Sequence, residues 1–256
     1  MKTDSLDEIA KKISDEIDQR YHNSTIEQYA RKQSLYFGTL IAKHTPSRYL
    51  NNKKTLDFGC GGGEMLYLFS KIYKKSHFIG MDLNKDKIST AQKYYTRSNV
   101  QYRCEDISVD KTYYDVTITS NTLEHFHNPL EWVAKLAYKC DTLILLLPYM
   151  ESCLFDNKRS GCVIGENTVY NGHVTRFHKY SFPKYLNGYH KKVMSKIIKS
   201  DRHFWPGHQI LVVYQKDEKL FKLTKQEMTV KQIIKSKLKQ FLYKILIKSG
   251  IKKHTI

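Results

Sequence analysis

Apolar side chains recur at Leu6, Ile9, Ile13 and Ile17, three and four residues apart, with acids and lysines between them. That is the spacing of one helical face. A second helical stretch runs near Ser24 to His44, and Pro46 breaks it. Residues 1–50 are therefore expected to form a helical cap. Beyond them the period changes. Thr55 to Phe58 is a short apolar strand that ends at a glycine cluster, and Gly62 to Lys74 reads as a helix with Met65, Leu66, Phe69 and Ile72 on one face. His77 to Asp82 predicts a strand, Asn84 an N-cap, and the residues to about Arg97 a helix. Val100 to Cys104 and Tyr113 to Ser120 predict two more strands. His127 to Lys139 predicts a helix with Leu130, Val133, Leu136 and Ala137 inward. Asp141 to Leu147 predicts a strand whose unbroken apolar run, Leu143 to Leu147, is the mark of one covered on both faces. Strands alternating with helices in this way imply a parallel sheet with right-handed crossovers.

After Pro148 the rhythm is lost. Residues 149–180 carry Gly, Asn, Ser, His and Tyr without a clean period and read as an excursion over the sheet edge. Tyr180 to Tyr189 is expected to be helical. Val193 to Lys199 and Ile210 to Gln215 suggest an antiparallel edge. The chain from 218 to 256 is a separate basic amphipathic segment, with Ile233, Ile234, Leu238, Phe241, Leu242 and Ile245 at helical spacing.

Composition narrows the class. The 256 residues are 41% hydrophobic, enough for a real core, so a wholly disordered chain is excluded. Five cysteines without a C-x-x-C pair argue against a disulfide scaffold and a zinc ribbon. The acidic start and the shortness of every apolar run predict neither a secretory signal nor a membrane span, and hence a cytoplasmic protein. The net charge of +18 attracts polyanions, but residues 228–256 hold eight lysines and no acid and so supply +8 of it. That tail suggests peripheral contact with the inner face of a membrane, or docking on a partner.

The most informative stretch is Leu56-Asp57-Phe58-Gly59-Cys60-Gly61-Gly62-Gly63-Glu64. A glycine-rich turn between strand and helix lets a ligand approach the backbone, and the helix start adds amide donors. The dinucleotide pattern G-x-G-x-x-G fails in both registers, and there is no G-K-[ST] for a P-loop. What stands here is an acid followed by Gly-x-Gly-x-Gly. In this the chain resembles the class I S-adenosylmethionine-dependent methyltransferases. Asp82, about 20 residues beyond the glycines, Asp106-Ile107 after the third strand, and Leu123-Glu124-His125 after the fourth extend the likeness toward the ubiquinone-biosynthesis-like, small-molecule branch.

The resemblance implies a Rossmann-like, doubly wound α/β fold over residues 51–217, with a mostly parallel seven-stranded sheet and an antiparallel edge. It implies S-adenosylmethionine as cofactor, held by Asp57, Gly59, Cys60, Gly61, Asp82, Leu83, Asp106, Ile107 and Asn121. Cys60 alone reads as a small buried filler. An oxygen acceptor needs its proton removed, and histidine suits that work near neutral pH. His125 is the first candidate for the base. His173 and then His178, in a stretch resembling a Gly-His-x-x-x-Phe segment, are the next. Asn121, Glu124 and His125 would make a weak metal site, and no metal is expected. Residues 149–180, with Tyr149, Phe155, Tyr170, Arg176 and Tyr180, should form an acceptor lid, and Lys158 and Arg159 could join Arg176 in holding a phosphate or carboxylate. The favoured acceptor is a sugar of a cell-surface polysaccharide or its precursor, with a quinone or lipid ring as competitor. An RNA methyltransferase or nucleic-acid binder is a further alternative, against which stands the lack of an N-P-P-[YF] motif. A scaffold that binds cofactor without chemistry is the non-enzymatic one.

Overall fold

The structure is a computed structural model that describes residues 4–149, 177, 180–205 and 207–225. Most of the expected lid, including His173, His178, Phe155, Tyr170, Arg176, Lys158 and Arg159, lies outside the described residues. So does the tail from 226 to 256.

Helix α1 (Leu6–Arg20) opens with a reciprocal capping box between Ser5 and Glu8, and buries Ile13 and Ile17. Helix α2 (Thr25–His44) is capped by Ser24 and buries Leu35, Phe37, Leu40 and Ile41. Then follow β1 (Lys54–Phe58), α3 (Glu64–Ile72), β2 (His77–Met81), α4 (Lys85–Tyr94), β3 (Val100–Arg103), β4 (Tyr114–Ser120), α5 (Pro129–Tyr138) and β5 (Cys140–Tyr149). Asn84 caps α4 with its side-chain oxygen, which accepts from the amides of Asp86 and Lys87 at 3.0 Å. The antiparallel portion is β6 (Tyr185–Leu186), β7 (His190–Lys199) and β8 (His208–Lys216), after which residues 218–225 are helical.

Among the described residues the sheet has eight strands in the order β3-β2-β1-β4-β5-β8-β7-β6. The first five are parallel, and β8 turns antiparallel onto β5. This is the α/β fold expected from the alternation, with one strand more than the seven anticipated. The extra strand is β6. The helix expected over Tyr180 to Tyr189 is instead β6 and a tight turn, because Asn187 and Gly188 both take left-handed backbone (φ 52° and 77°). Such a pair makes a tight turn within the three-residue connection between Leu186 and His190. Leu130, expected inward, is 46% exposed, since α5 starts at Pro129 and turns Val133, Leu136 and Ala137 to the sheet.

Two cores flank the sheet. Residues 144, 146, 211 and 213 face the side covered by α1, α2 and α3, while 143, 145, 147, 210 and 212 face the side covered by α5. β5 is thus buried on both faces, as its unbroken apolar run predicts. The chain leaves β1 toward β2 on one side and returns to β4 on the other. That switch opens a crevice beyond the carboxyl ends of β1 and β4, where open α/β sheets bind ligands.

Candidate functional site

The turn after β1 sits in that crevice. Gly59 and Cys60 donate their amides to the carbonyl of Met81 at 2.8 and 3.0 Å, which prolongs the β1–β2 pairing before the chain turns away. Gly59, Gly61 and Gly63 then take positive φ of 78°, 54° and 92°. Two of them are also crowded. A Cβ on Gly59 would stand 2.4 Å from the Thr122 side chain, and one on Gly63 would stand 2.8 Å from the Tyr102 ring. Glycine is needed there for backbone conformation and for space alike. Tyr102 fixes the turn from below by donating its hydroxyl to the carbonyl of Gly63 at 3.1 Å.

Around the turn lies a cavity of about 420 Å³, roofed by α2 and bordered by the start of α4 and the end of β4. Asp57, Gly59, Cys60, Gly61 and Asn121 line it, so five of the nine expected cofactor residues come together. Asp57 is 1% exposed, and both its carboxylate oxygens are buried without a hydrogen-bond partner. Burial, reinforced by the charge of Asp82, pushes its carboxyl well above the usual range. A buried acid of this kind is costly unless a cation completes it. Asn121 holds left-handed backbone (φ 48°), and its side-chain Oδ1 is likewise buried without a partner. Asp82 stands just behind the turn and accepts from the amide of Gly61 at 2.9 Å and that of Asn84 at 2.9 Å. Cys60 is buried against Gly80, and burial raises its thiol well above the ordinary value, as befits a filler.

Leu83, Asp106 and Ile107 do not line this cavity. Leu83 is 71% exposed, Asp106 is exposed with its carboxylate accepting from the Ser108 amide at 2.7 Å, and Ile107 is buried in the core on the α5 side. The helical turn Leu123–His125 carries the expected base at the same edge of the sheet, with His125 exposed and outside the cavity lining. Its neighbour Glu124 is turned inward, and burial lifts that carboxyl to about 8. Among the described residues no group of three or more His, Cys, Asp or Glu could hold a metal.

Sequence reasoning missed the contribution of α2. Arg31 is 9% exposed and lines the cavity, its guanidinium 3.2 Å from both Glu64 and Glu27. Glu64, the first residue of α3, is 1% exposed. Burial raises its carboxyl, and Arg31 draws part of that rise back. The available signal was an arginine on an otherwise buried helix face, together with an acid at a helix start among apolar residues.

The cavity suits a compact zwitterionic or cationic ligand better than a polyphosphate. Its walls carry Glu27, Asp57, Glu64 and Asp86 against Arg31 and Lys87, so acids outnumber bases. The chemistry of S-adenosylmethionine fits: a sulfonium and an ammonium for the acids, and no pyrophosphate to repel.

Comparison with known proteins agrees. Residues 29–179 match the family described as methyltransferase domain, which is more than half of the chain. The chain is 29% identical over 121 residues to a malonyl-[acyl-carrier protein] O-methyltransferase of Priestia megaterium, covering 46% of this chain and 43% of that protein. It is 30% identical over 95 residues to a ubiquinone biosynthesis O-methyltransferase of Coxiella burnetii, covering 34% of this chain and 39% of that one. The chain thus spans less than half the length of these curated relatives. Among solved structures, the fold resembles magnesium protoporphyrin IX methyltransferase from Synechocystis PCC 6803 with bound SAH, at TM-score 0.53 and 17% identity over 79% of this chain and 100% of that one. A buried acid beneath a strained glycine turn and a family match that spans both lead to one identification: this chain belongs to the methyltransferase-domain family, with S-adenosylmethionine as its cofactor.

Proposed function

We propose that the protein methylates an oxygen of a small-molecule acceptor. The observation that carries this is Asp57, a fully buried acid with both oxygens unpartnered, facing a cavity among glycine amides. Bound there, the cofactor supplies an electrophilic methyl group. The chain does the rest: Asp57 and the turn would hold the cationic end and Asp82 the ribose hydroxyls. His125, beyond the end of β4, takes the proton from the acceptor oxygen in this reading. The choice of oxygen draws support from two curated relatives whose names describe them as O-methyltransferases.

The polysaccharide sugar expected from the lid and tail finds no support among the relatives, and the segments that suggested it lie outside the described residues. Peripheral membrane contact through residues 228–256 rests on their eight lysines and apolar stripe alone. Among the described residues no helix is long and apolar enough to cross a membrane.

The test is direct. Purified protein is titrated with S-adenosylhomocysteine by calorimetry, then incubated with S-adenosylmethionine and a panel of catechols and quinols, malonyl thioesters, sugar nucleotides and RNA, with products read by mass. A gain of one methyl on an oxygen of a small molecule supports the proposal. Methylation of RNA alone, or no uptake of S-adenosylhomocysteine, overturns it.

A further inference from the structure

We propose that the amino edge of the sheet carries a docking groove for an acidic, amphipathic segment of a partner protein, separate from the cofactor cavity.

The groove holds about 790 Å³ and shares no lining residue with the cavity around the glycine turn. It lies between the start of α1, the end of α3 and the turns that lead into β2 and β3, at the opposite end of the strands from the site. Its floor is aliphatic, with Leu6, Ile9 and Ile72 partly buried against the core on that side. Its rim is cationic. Among the described residues, Lys12, Lys71, Lys74, Lys75 and Arg97 line it against one acid, Asp4.

The fold leaves much of this charge unanswered. Lys12 takes Asp4 at 2.6 Å, and Lys71 lies 3.7 Å from Glu16. Asp7, Asp15 and Asp18 of α1 pair with Lys43, Lys11 and Lys32, none of which lines the groove. Lys74, Lys75 and Arg97 are exposed, and among the described residues none of them meets a carboxylate. A cation in the last turn of a helix answers the macrodipole, and Lys71 fills that place in α3. Lys74 and Lys75 stand beyond the cap at Tyr73, and Arg97 beyond the cap at Tyr95, where that effect has faded. Helix stability therefore leaves these three unexplained. Like charges gathered on one rim repel each other, and an anion that binds there relieves the repulsion.

The lining selects the occupant. An aliphatic floor beneath a cationic rim matches a segment with apolar residues on one face and carboxylates on its flanks. RNA fits less well, since the lining has no aromatic ring on which a base could stack. A bilayer surface is flat and the groove is concave. Neither residues 228–256, with eight lysines and no acid, nor a second copy at net charge +18 is drawn to it. The occupant is therefore acidic and belongs to another protein.

The experiment uses the full chain and a labelled helical peptide with leucines on one face and glutamates on its flanks, followed by fluorescence anisotropy. The same peptide with Gln for every Glu, a single-stranded RNA and phosphatidylglycerol vesicles are run beside it. One variant combines Lys74→Glu, Lys75→Glu and Arg97→Glu. A control combines Lys184→Glu, Lys191→Glu and Lys199→Glu, exposed lysines at β6 and β7 on the far edge of the sheet, and changes the net charge equally. The groove variant should weaken the acidic peptide about 10- to 100-fold, the sum of three exposed charge contacts, and the control less than about 2-fold because of screening. The affinity for S-adenosylhomocysteine should be the same in both. If thermal melting shows that charge reversal unfolds the groove variant, the Gln substitutions at the same three positions decide, with a loss of about 5-fold expected. Equal loss in groove variant and control would mean attraction by net charge alone, and would overturn the proposal. So would absence of peptide binding, equal binding of the Gln peptide, or RNA or vesicles that bind through the three groove residues more tightly than the peptide does.

Discussion

Two turns of this molecule use left-handed backbone, and they are there for different reasons. The β6–β7 turn places Asn187 and Gly188 at φ 52° and 77°, and Tyr189 donates its amide back to Leu186 at 3.1 Å. Hairpin geometry accounts for all of it. The turn after β1 places three glycines at positive φ within five residues, yet it joins a strand to a helix and no hairpin requires it. What separates the two is the surroundings. A Cβ at Gly188 would meet nothing nearer than Thr224 Oγ1 at 3.5 Å, while Gly59, Gly62 and Gly63 are all crowded. Below the β1 turn lies a buried acid whose oxygens find no partner. Strained backbone alone does not mark a binding site. Strain that coincides with uncompensated buried charge does, because a ligand can relieve what the protein leaves open.

The comparison can be broken most decisively at Asp57. Asp57→Asn should weaken S-adenosylhomocysteine by about 100-fold or more in calorimetry, since a buried charge–charge contact is lost. It should also stabilise the ligand-free protein. The folded-state pKa of Asp57 is raised by burial, so the wild type is favoured below the ordinary carboxylate range and loses stability as pH climbs above it. The melting temperature of Asp57→Asn minus that of the wild type should therefore grow from pH 4 to pH 8, and a flat difference would show that Asp57 is compensated. Glu124, whose carboxyl is lifted to about 8, should give the same sign in Glu124→Gln, with its effect developing between about pH 5 and pH 8.

Next in size is Gly59→Ala. It imposes both a left-handed alanine and a clash with Thr122, and should lower stability by about 2–4 kcal/mol in denaturant titration. Asp82→Ala removes the acceptor for the Gly61 amide, and should weaken S-adenosylhomocysteine about 10- to 100-fold while costing little stability. His125→Ala should slow methyl transfer to an oxygen acceptor by about 100-fold or more and leave cofactor affinity unchanged. The smallest effect is expected in the other turn. Gly188→Ala has open space and pays only for its backbone, about 1–2 kcal/mol, with no change in cofactor affinity. A cofactor effect there would dissolve the distinction between the turns.

The alternation of periods was enough to read the parallel half. β1 to β5 and their helices fall within a few residues of where the sequence places them, because each has a clear apolar rhythm and most of the helices carry a recognisable cap, such as Ser5 with Glu8 or Asn84. The hairpin was misread as a helix although Leu186-Asn187-Gly188-Tyr189 carries the Asn-Gly signal. β6 is two residues long, too short for a period of its own. At the site, the glycines and Asp57 were legible because they are contiguous, and turn chemistry is local. Arg31 was not, since its role depends on α2 folding back over a turn some thirty residues away.

The order of acid and glycines along the chain thus pointed by itself to a turn after the first strand that can admit a ligand beside a carboxylate, because backbone freedom and adjacent charge are properties of neighbouring residues. Only the tertiary structure decided which acid would be left bare and which would be answered. Asp57 and Glu64 are both 1% exposed, and it is the packing of α2 against α3 that gives Arg31 to one of them and leaves the other open to the cavity. Burial turns that choice into energy, since a charge taken out of water must find its partner in the fold or in the ligand.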